Sequence, residues 1–475
     1  MFGFNFYRSD DVLATAYFYF DRPSSNLPLP DNKLLRIKDM KEKGWDKIKT
    51  NGEYQKKENM KNKSKIIVLV TLLLNAGCQN KEKKQLTIEP EGTKQTYSKE
   101  SFGYDLDFLK KYHKDLILLG DDSGGAQLIV LPAYQGRVMT STADGNNGNS
   151  FGWVNHAFIE SNKHADHINA YGGEERFWLG PEGGQFALYF KKGVPFTFDN
   201  WFVPKELDTD SFTLLSATKR EARFKKEMHL ENYSGNSFDL LVNRTIRLLD
   251  RKTINEALNT ELPSDLQVVA FESINKITNI GSSAWNKKSG MVSIWILSML
   301  NASDNTTVAL PYKQGDTTLL GKIVTDDYFG KVPTERLLTA NGLILFKADA
   351  NHRSKIGIAP SRALPIVASY DASTGVLTIA KFTLAAGAKD YVNSQWKLQD
   401  KPFSGDAVNA YNDGPIDGTQ LGKFYEIESS SPAAPLLPAQ SIEHLHRTIH
   451  LKGSRKSLDL IANKLLGIGV DKIKL

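Results

Sequence analysis

Phe238-Asp-Leu-Leu-Val242 and Thr245-Ile-Arg-Leu-Leu249 are two short apolar runs set close together in the middle of the chain. Runs of this length, rich in β-branched and aromatic residues and bounded by turn formers, read as strands. Upstream the series includes Gln127–Leu131, Gly136–Thr140, Ala187–Phe190 and Phe212–Leu215. Downstream it continues through Val268–Phe271, Val292–Leu297, Gly342–Phe346 and Gly375–Ala380. Long loops rich in Gly, Asn and Asp separate the runs, and parallel units would need helices between them. The expected fold is therefore all-β, a large antiparallel sandwich with a few short peripheral helices. Phe102, Leu106, Leu109 and Tyr112 carry helical spacing, and Gly120 is a plausible stop, so one helix is expected over Phe102–Gly120. A second is expected over Leu458–Leu466, with Ser454 and Ser457 as candidate N-caps. No linker-like break falls between about residues 100 and 453, so the sandwich reads as one domain.

The net charge of +6 is local. Residues 1–98 hold 18 Lys+Arg against 12 Asp+Glu, and the remainder balances at 42 against 42. A nucleic-acid-binding domain normally carries a basic face, so no nucleic-acid partner is expected. The single cysteine, Cys78, excludes an intrachain disulfide. Lys61, Lys63 and Lys65 precede the apolar run Ile66–Leu74, and Ala76-Gly77 stands directly before Cys78. This is the layout of a secretory signal, and the run is too short to span a bilayer. Residues 1–59 show no sustained period of two or 3.6, and Met60 opens what reads as a normal secretory start. Residues 1–59 are accordingly expected to be an upstream over-extension of the reading frame, or disordered. Residues 60–78 form the signal, 79–98 a polar tether, 99–453 the sandwich, and 454–475 a terminal helix and tail.

The densest mixture of residue types is Tyr171-Gly-Gly-Glu-Glu-Arg-Phe-Trp-Leu-Gly-Pro-Glu-Gly-Gly-Gln-Phe-Ala-Leu-Tyr-Phe190. The glycine pairs can let a ligand or a second backbone come close. Glu174, Glu175, Arg176 and Glu182 place charge near the apolar face of Trp178, which suits a sugar, whose hydroxyls meet charged groups and whose C–H face meets an indole. The alternative is a glycine-rich turn with a structural salt bridge.

Gly422-Lys-Phe-Tyr-Glu-Ile-Glu-Ser429 reads as a strand with Glu426 and Glu428 on one face and Tyr425 and Ile427 on the other. Two like charges on one face raise the pKa of at least one, which suits a general base; a solvated acidic face is the alternative. In Glu443-His-Leu-His-Arg-Thr-Ile-His450, residues His444, His446, Thr448 and His450 share a face. Such imidazoles can ligate a metal, but no structural-zinc spacing is present, and a polar face lining a cleft is the favoured reading. No cofactor or metal is expected. A nucleophile elbow, a Walker loop and a dinucleotide fingerprint are missing.

The segment from Lys61 to Cys78 resembles a bacterial lipoprotein signal, with Cys78 as the lipidated residue and Asn75 where an aliphatic residue is usual. The C-terminal region resembles the galactose mutarotase (aldose 1-epimerase) superfamily through Tyr425-Glu-Ile-Glu428, Ser431-Pro432, Leu436-Leu-Pro438 and the strand Ser441–Leu451. Tyr171-Gly172-Gly173 followed by Trp178 is similar to that superfamily's His-Gly-Gly and Trp, and Trp285–Trp295 resembles DUF6786-like lipoproteins of the Bacteroides type. The resemblance implies a β-supersandwich of galactose mutarotase-like type with a carbohydrate cleft. Glu426 would be the base and Tyr171 a replacement acid; Arg176, Trp178, Glu182, Glu428, His444 and His446 would bind substrate. It departs at Ile280 and Tyr171, which stand where that superfamily has histidines, so ordinary mutarotation is in doubt. The implied protein is a lipid-anchored carbohydrate-binding protein of a Gram-negative cell envelope, on the periplasmic side or the outer-membrane surface. It is either an epimerase-like enzyme or a non-catalytic glycan binder. Its oligomeric state is open.

Overall fold

The computed structural model describes residues 96–475, which fall within the compact unit Thr93–Leu475. The expected signal, Cys78 and nearly all of the tether lie outside the described residues. The strands are β1 (Ile117–Gly120), β2 (Gln127–Leu131), β3 (Arg137–Thr142), β4 (Arg176–Gly180), β5 (Thr213–Ala217), β6 (Glu221–Glu231) and β7 (Ser237–Leu248). Then come β8 (Gln267–Asn279), β9 (Ser293–Leu297), β10 (Leu300–Asn301), β11 (Thr306–Pro311), β12 (Leu337–Ala340) and β13 (Leu343–Lys347). The last are β14 (Ser354–Ile358), β15 (Ile366–Asp371), β16 (Val376–Phe382), β17 (Val408–Asn412), β18 (Phe424–Ser430) and β19 (Ser441–Lys452).

Ten strands form one sheet in the order β12-β13-β11-β15-β16-β19-β8-β7-β6-β5. Six form a second, β14-β17-β18-β9-β4 with β10 beside β18, and β1-β2-β3 make a small third. Every strand pair is antiparallel. The two large sheets bury their facing apolar rows together: Phe177, Ile294 and Ile296 from the smaller with Phe224, Val242 and Ile277 from the larger. Farther along the sandwich, Ile356, Val408 and Ile427 meet Val308, Ile344 and Val367 in the same way. This is the expected all-β supersandwich.

In chain order the helices are α1 (Phe102–Tyr112), α2 (His156–Ser161), α3 (Lys205–Asp208), α4 (Arg251–Leu258), α5 (Thr317–Leu320) and α6 (Arg455–Leu466). Two of them, α4 and α6, cover the outer side of the ten-stranded sheet, and α1 and α2 pack on the small one. Ile254 and Leu258 of α4, with Leu458 and Ile461 of α6, pack on Ala270, Leu377, Ile449 and Leu451. The Ser454 side chain accepts from the Ser457 N–H, and Gly467 ends α6 in the left-handed region. Ser454→Ala should therefore cost about 1 kcal/mol, read as a lower midpoint in urea unfolding with an unchanged slope.

Four sequence expectations change. The first helix ends at Tyr112, capped by the His113 N–H on the Leu109 carbonyl, and Ile117–Gly120 pairs with β2. Helices α2 to α5 are among the few short peripheral helices expected, at positions that were not anticipated. In α4 the signals are local: the Asp250 carboxylate accepts from the Thr253 N–H and Asn259 closes the helix at φ 50°. The runs 238–242 and 245–249 belong to one strand, β7, except for Leu249. Ala187–Phe190 is not a strand, because the Leu188 N–H turns back to the Pro181 carbonyl and the Ala187 N–H to that of Gly184. Its side chains are apolar because they fill the core.

Candidate functional site

The pleat of the six-stranded sheet sorts its side chains. Phe177, Leu179, Ile294, Ile296, Ile427 and Ile356 face the larger sheet. The opposite, outer face therefore receives Arg176 and Trp178 from β4, Ser293 and Trp295 from β9, and Glu426 and Glu428 from β18. Asn409 and Tyr411 of β17 and Lys355 of β14 complete it. The register sets Trp178 beside Trp295, Glu426 beside Tyr411, Glu428 beside Asn409, and Tyr411 beside Lys355.

This outer face is charged yet covered. Arg176 Nη2 donates to Glu426 Oε1 at 2.6 Å, and the guanidinium lies over the Trp178 ring at 4.7 Å. Trp178 meets Trp295 edge to face at 5.6 Å. Glu428 Oε2 accepts from Lys355 Nζ at 2.8 Å and from Trp295 Nε1 at 2.9 Å. Beyond them, Tyr328 donates to Asp406 at 2.6 Å and Asn409 donates to the Tyr328 hydroxyl. Burial pushes the Glu426 carboxyl up to about 7, with Arg176 opposing the shift and Glu428 adding to it. Burial also raises Glu182 and Asp406 above the usual carboxylate range.

Four buried atoms on this face, Arg176 Nε, Trp178 Nε1, Ser293 Oγ and Glu428 Oε1, have no hydrogen-bond partner among the described residues. Buried polar groups are nearly always satisfied, so four orphans on one face of the sheet mark a place shaped for hydroxyls or water. A recess lined by Gly180, Ser293, Trp295, Lys355, Ser394 and Asp406 opens there, with a cavity volume of about 20 Å³. That is room for a single water.

The expected site residues divide into three groups. Arg176, Trp178, Glu426 and Glu428 gather on the outer face, and Glu182 joins them from the following loop, where the Trp396 indole hydrogen-bonds its carboxylate. His444 and His446 lie on the other side of β18, between the sheets, where both bond the Ser429 hydroxyl at 2.8 and 2.9 Å. Burial drives both imidazoles down to about 3, so they are neutral at neutral pH. The histidine face thus lines the interior of the sandwich, not a cleft. Tyr171 stacks on Tyr134 at 3.9 Å inside the small core beneath α1, and burial raises its phenol. Ile280 is 47% exposed just past the end of β8, where its N–H donates to the Asp239 carbonyl.

The glycine pairs serve backbone contacts. A Cβ on Gly172 would strike the Trp153 carbonyl and one on Gly183 the Gln395 carbonyl, while Gly172 and Gly184 have φ of +87° and +83°. Glu174 and Glu175 turn inward, away from Arg176. Glu174 meets His450 at 2.7 Å, and Glu175 meets the fully buried Arg244 at 2.8 Å. Sequence reading missed Lys355, Trp295, Ser293 and Asp406. The usable signal was Lys355 as a lone charge within Ser354-Lys-Ile-Gly-Ile358.

Fold and site together define an antiparallel β-supersandwich whose smaller sheet carries a covered, charged and aromatic outer face. The chain belongs to the family of unknown function DUF6786, whose sequence model matches residues 100–475. Three of the solved structures it is similar to illustrate the fold. One is a candidate aldose 1-epimerase from Escherichia coli K12, at 11% identity over 71% of this chain and 99% of that one, with a TM-score of 0.41. Another is the Slr1438 protein from Synechocystis sp. PCC 6803, at 11% identity, 71% and 96% coverage, and a TM-score of 0.43. The third is a galactose mutarotase-like protein from Lactobacillus casei ATCC 334, at 9% identity, 71% and 99% coverage, and a TM-score of 0.42. A search of curated proteins gave no match.

Proposed function

We propose that this chain binds carbohydrate on the outer face of its six-stranded sheet, and that it does so as a lipid-anchored protein of the cell envelope. The observation that carries the first part is the set of four orphaned atoms, three of them able to donate and one a carboxylate acceptor, beside two indoles. A polyol satisfies donors and acceptors at once, whereas an apolar ligand would leave them unpaired, at about 1–3 kcal/mol each. Binding should select neutral glycans on an array of the purified protein, and it should strengthen as pH rises through about 7, where the Glu426 carboxyl ionises and gains acceptor strength.

Within that reading, non-catalytic recognition is favoured over epimerisation by one observation. Glu426 is already held by Arg176, and Tyr171 is packed in a separate core. The envelope assignment rests on the lysines, apolar run and small residues ahead of Cys78. In a bacterial host, a palmitate analogue should label the wild type and not Cys78→Ser; equal labelling of both would remove the anchor from the account.

A further inference from the structure

Between β16 and β17 the chain runs for 25 residues, 383–407, without a helix or strand. Loops longer than about 12–15 residues inside a compact domain are usually functional, and this one has an unusual build. Its neck is closed by three backbone hydrogen bonds: Tyr391 N–H to the Phe403 carbonyl, Asn393 N–H to that of Pro402, and Gly405 N–H to that of Tyr391. Tyr391 and Phe403 are buried at the neck, and a Cβ on Gly405 would collide with the Val392 carbonyl. The tip, Ser394–Lys401, has the opposite character. Lys397, Leu398 and Asp400 are exposed, Leu398 by 67%.

Several polar contacts hold the tip against the loop that follows β4. The Glu182 N–H donates to Ser394 Oγ, Gln185 Nε2 donates to the Gln399 carbonyl, and the Gln399 N–H donates back to Gln185 Oε1. Trp396 bonds Glu182 and packs at the margin of the main core, edge to face with Phe190 at 5.1 Å and stacked on Trp201 at 5.8 Å. Beneath this clasp lies the recess, whose lining includes Val392 and Ser394 from the segment itself. The face therefore combines unmet hydrogen-bonding atoms with room for no more than a water, and its cover has a neck closed by backbone hydrogen bonds and a tip held by side-chain contacts and the Trp396 ring.

We propose that Tyr391–Gly405 is a hinged lid over the outer face, opening at the Gln185–Gln399 clasp to admit a hydroxylated ligand and closing with Trp396 and Glu182 as one wall of the site. This rests on the carbohydrate reading for the ligand but not for the motion. Elements that open to admit ligands come from the less stable part of a fold; the tip lies in no helix or strand, and it meets the loop after β4 through hydrogen bonds of Glu182 and Gln185 and through the partly buried Trp396 ring.

The test uses the full chain carrying Cys78→Ser, Gln185→Cys and Gln399→Cys, with the two new thiols either free or joined by a short bifunctional reagent. Trp178 and Trp295, both nearly inaccessible, report opening through slow oxidation by N-bromosuccinimide, mapped by mass spectrometry. With the thiols free, both indoles should react; joining them should slow both by at least about tenfold, and reaction at equal rates would overturn the lid. If this variant does not fold, amide exchange in the wild type decides. Amides of 394–401 should exchange at least about a hundredfold faster than those of Arg176–Gly180, and equal protection overturns the proposal. D-galactose and the neutral glycans of the array form the separate arm. Gated oxidation without any glycan binding upholds the lid and removes the carbohydrate reading.

Discussion

Arg244→Met should lower the unfolding free energy by about 3–5 kcal/mol, the usual cost of removing one partner of a buried ion pair. Arg244 is enclosed between the sheets and bonds Glu175 Oε1, Asn275 Oδ1 and the Gly136 carbonyl. Methionine fills a similar volume but leaves Glu175, which is also fully buried, without its counter-charge. The Glu175 carboxyl is raised by burial even with Arg244 present. Without the guanidinium it rises further and takes up a proton in the folded state. A folded-state carboxyl pKa above the unfolded value means that stability falls as pH rises between the two. The deficit of Arg244→Met should therefore be smaller near about pH 5 than near about pH 8, measured by urea unfolding at both. Equal stability of variant and wild type would mean that the pair is not enclosed as described.

The second large effect concerns catalysis. Efficient mutarotation needs a base and an acid placed at opposite ends of a hemiacetal, each contributing perhaps 10²–10⁴-fold. Arg176 already binds Glu426 Oε1, and this pairing weakens the carboxylate as a base. Tyr171 is packed against Tyr134 with its phenol raised by burial, so it is a poorer acid than a free tyrosine and lies in another core. Polarimetry of α-D-glucose and α-D-galactose should give rates indistinguishable from the spontaneous ones. Fast mutarotation that disappears in Glu426→Gln would restore the epimerase assignment.

Much of this architecture was legible in the sequence, because strand length and turn composition are local properties. β2, β9, β16, β18 and β19 fall close to where their apolar runs lie. The face assignment of β18 also followed from period two alone: Glu426 and Glu428 share a side, opposite Tyr425 and Ile427. What was not legible depends on which sheet covers which face. His444 and His446 were correctly placed on one face of β19, but whether that face meets solvent or the other sheet is a tertiary fact. The same holds for Glu174, Glu175 and Arg176, three consecutive charges that go to two different sides of one sheet.

One missed signal was present. Reading 238–242 and 245–249 as separate strands hid the alternation Phe238, Leu240, Val242, Arg244, Ile246, Leu248, all buried in β7. An arginine in the inward register of a twelve-residue strand announces a buried counter-charge. The outer-face site was half visible. Arg176, Trp178, Glu182, Glu426 and Glu428 were named from residue type, whereas Lys355, Trp295 and Asp406 come from elements joined to it only by the fold.

The most direct measurement is glycan-array retention of the wild type beside Glu426→Gln, with thermal unfolding of both recorded at the same pH. The substitution keeps shape and removes the charge that Arg176 neutralises. It should also remove the decline in stability that a carboxyl raised from 4.5 to about 7 imposes as pH rises between those values. The account predicts that the wild type retains a defined set of neutral glycans, and that signals for Glu426→Gln fall by at least about tenfold, about 1.4 kcal/mol, while the protein remains folded. Retention of the same glycans to the same extent by both proteins, or no glycan retained by the wild type, would contradict it.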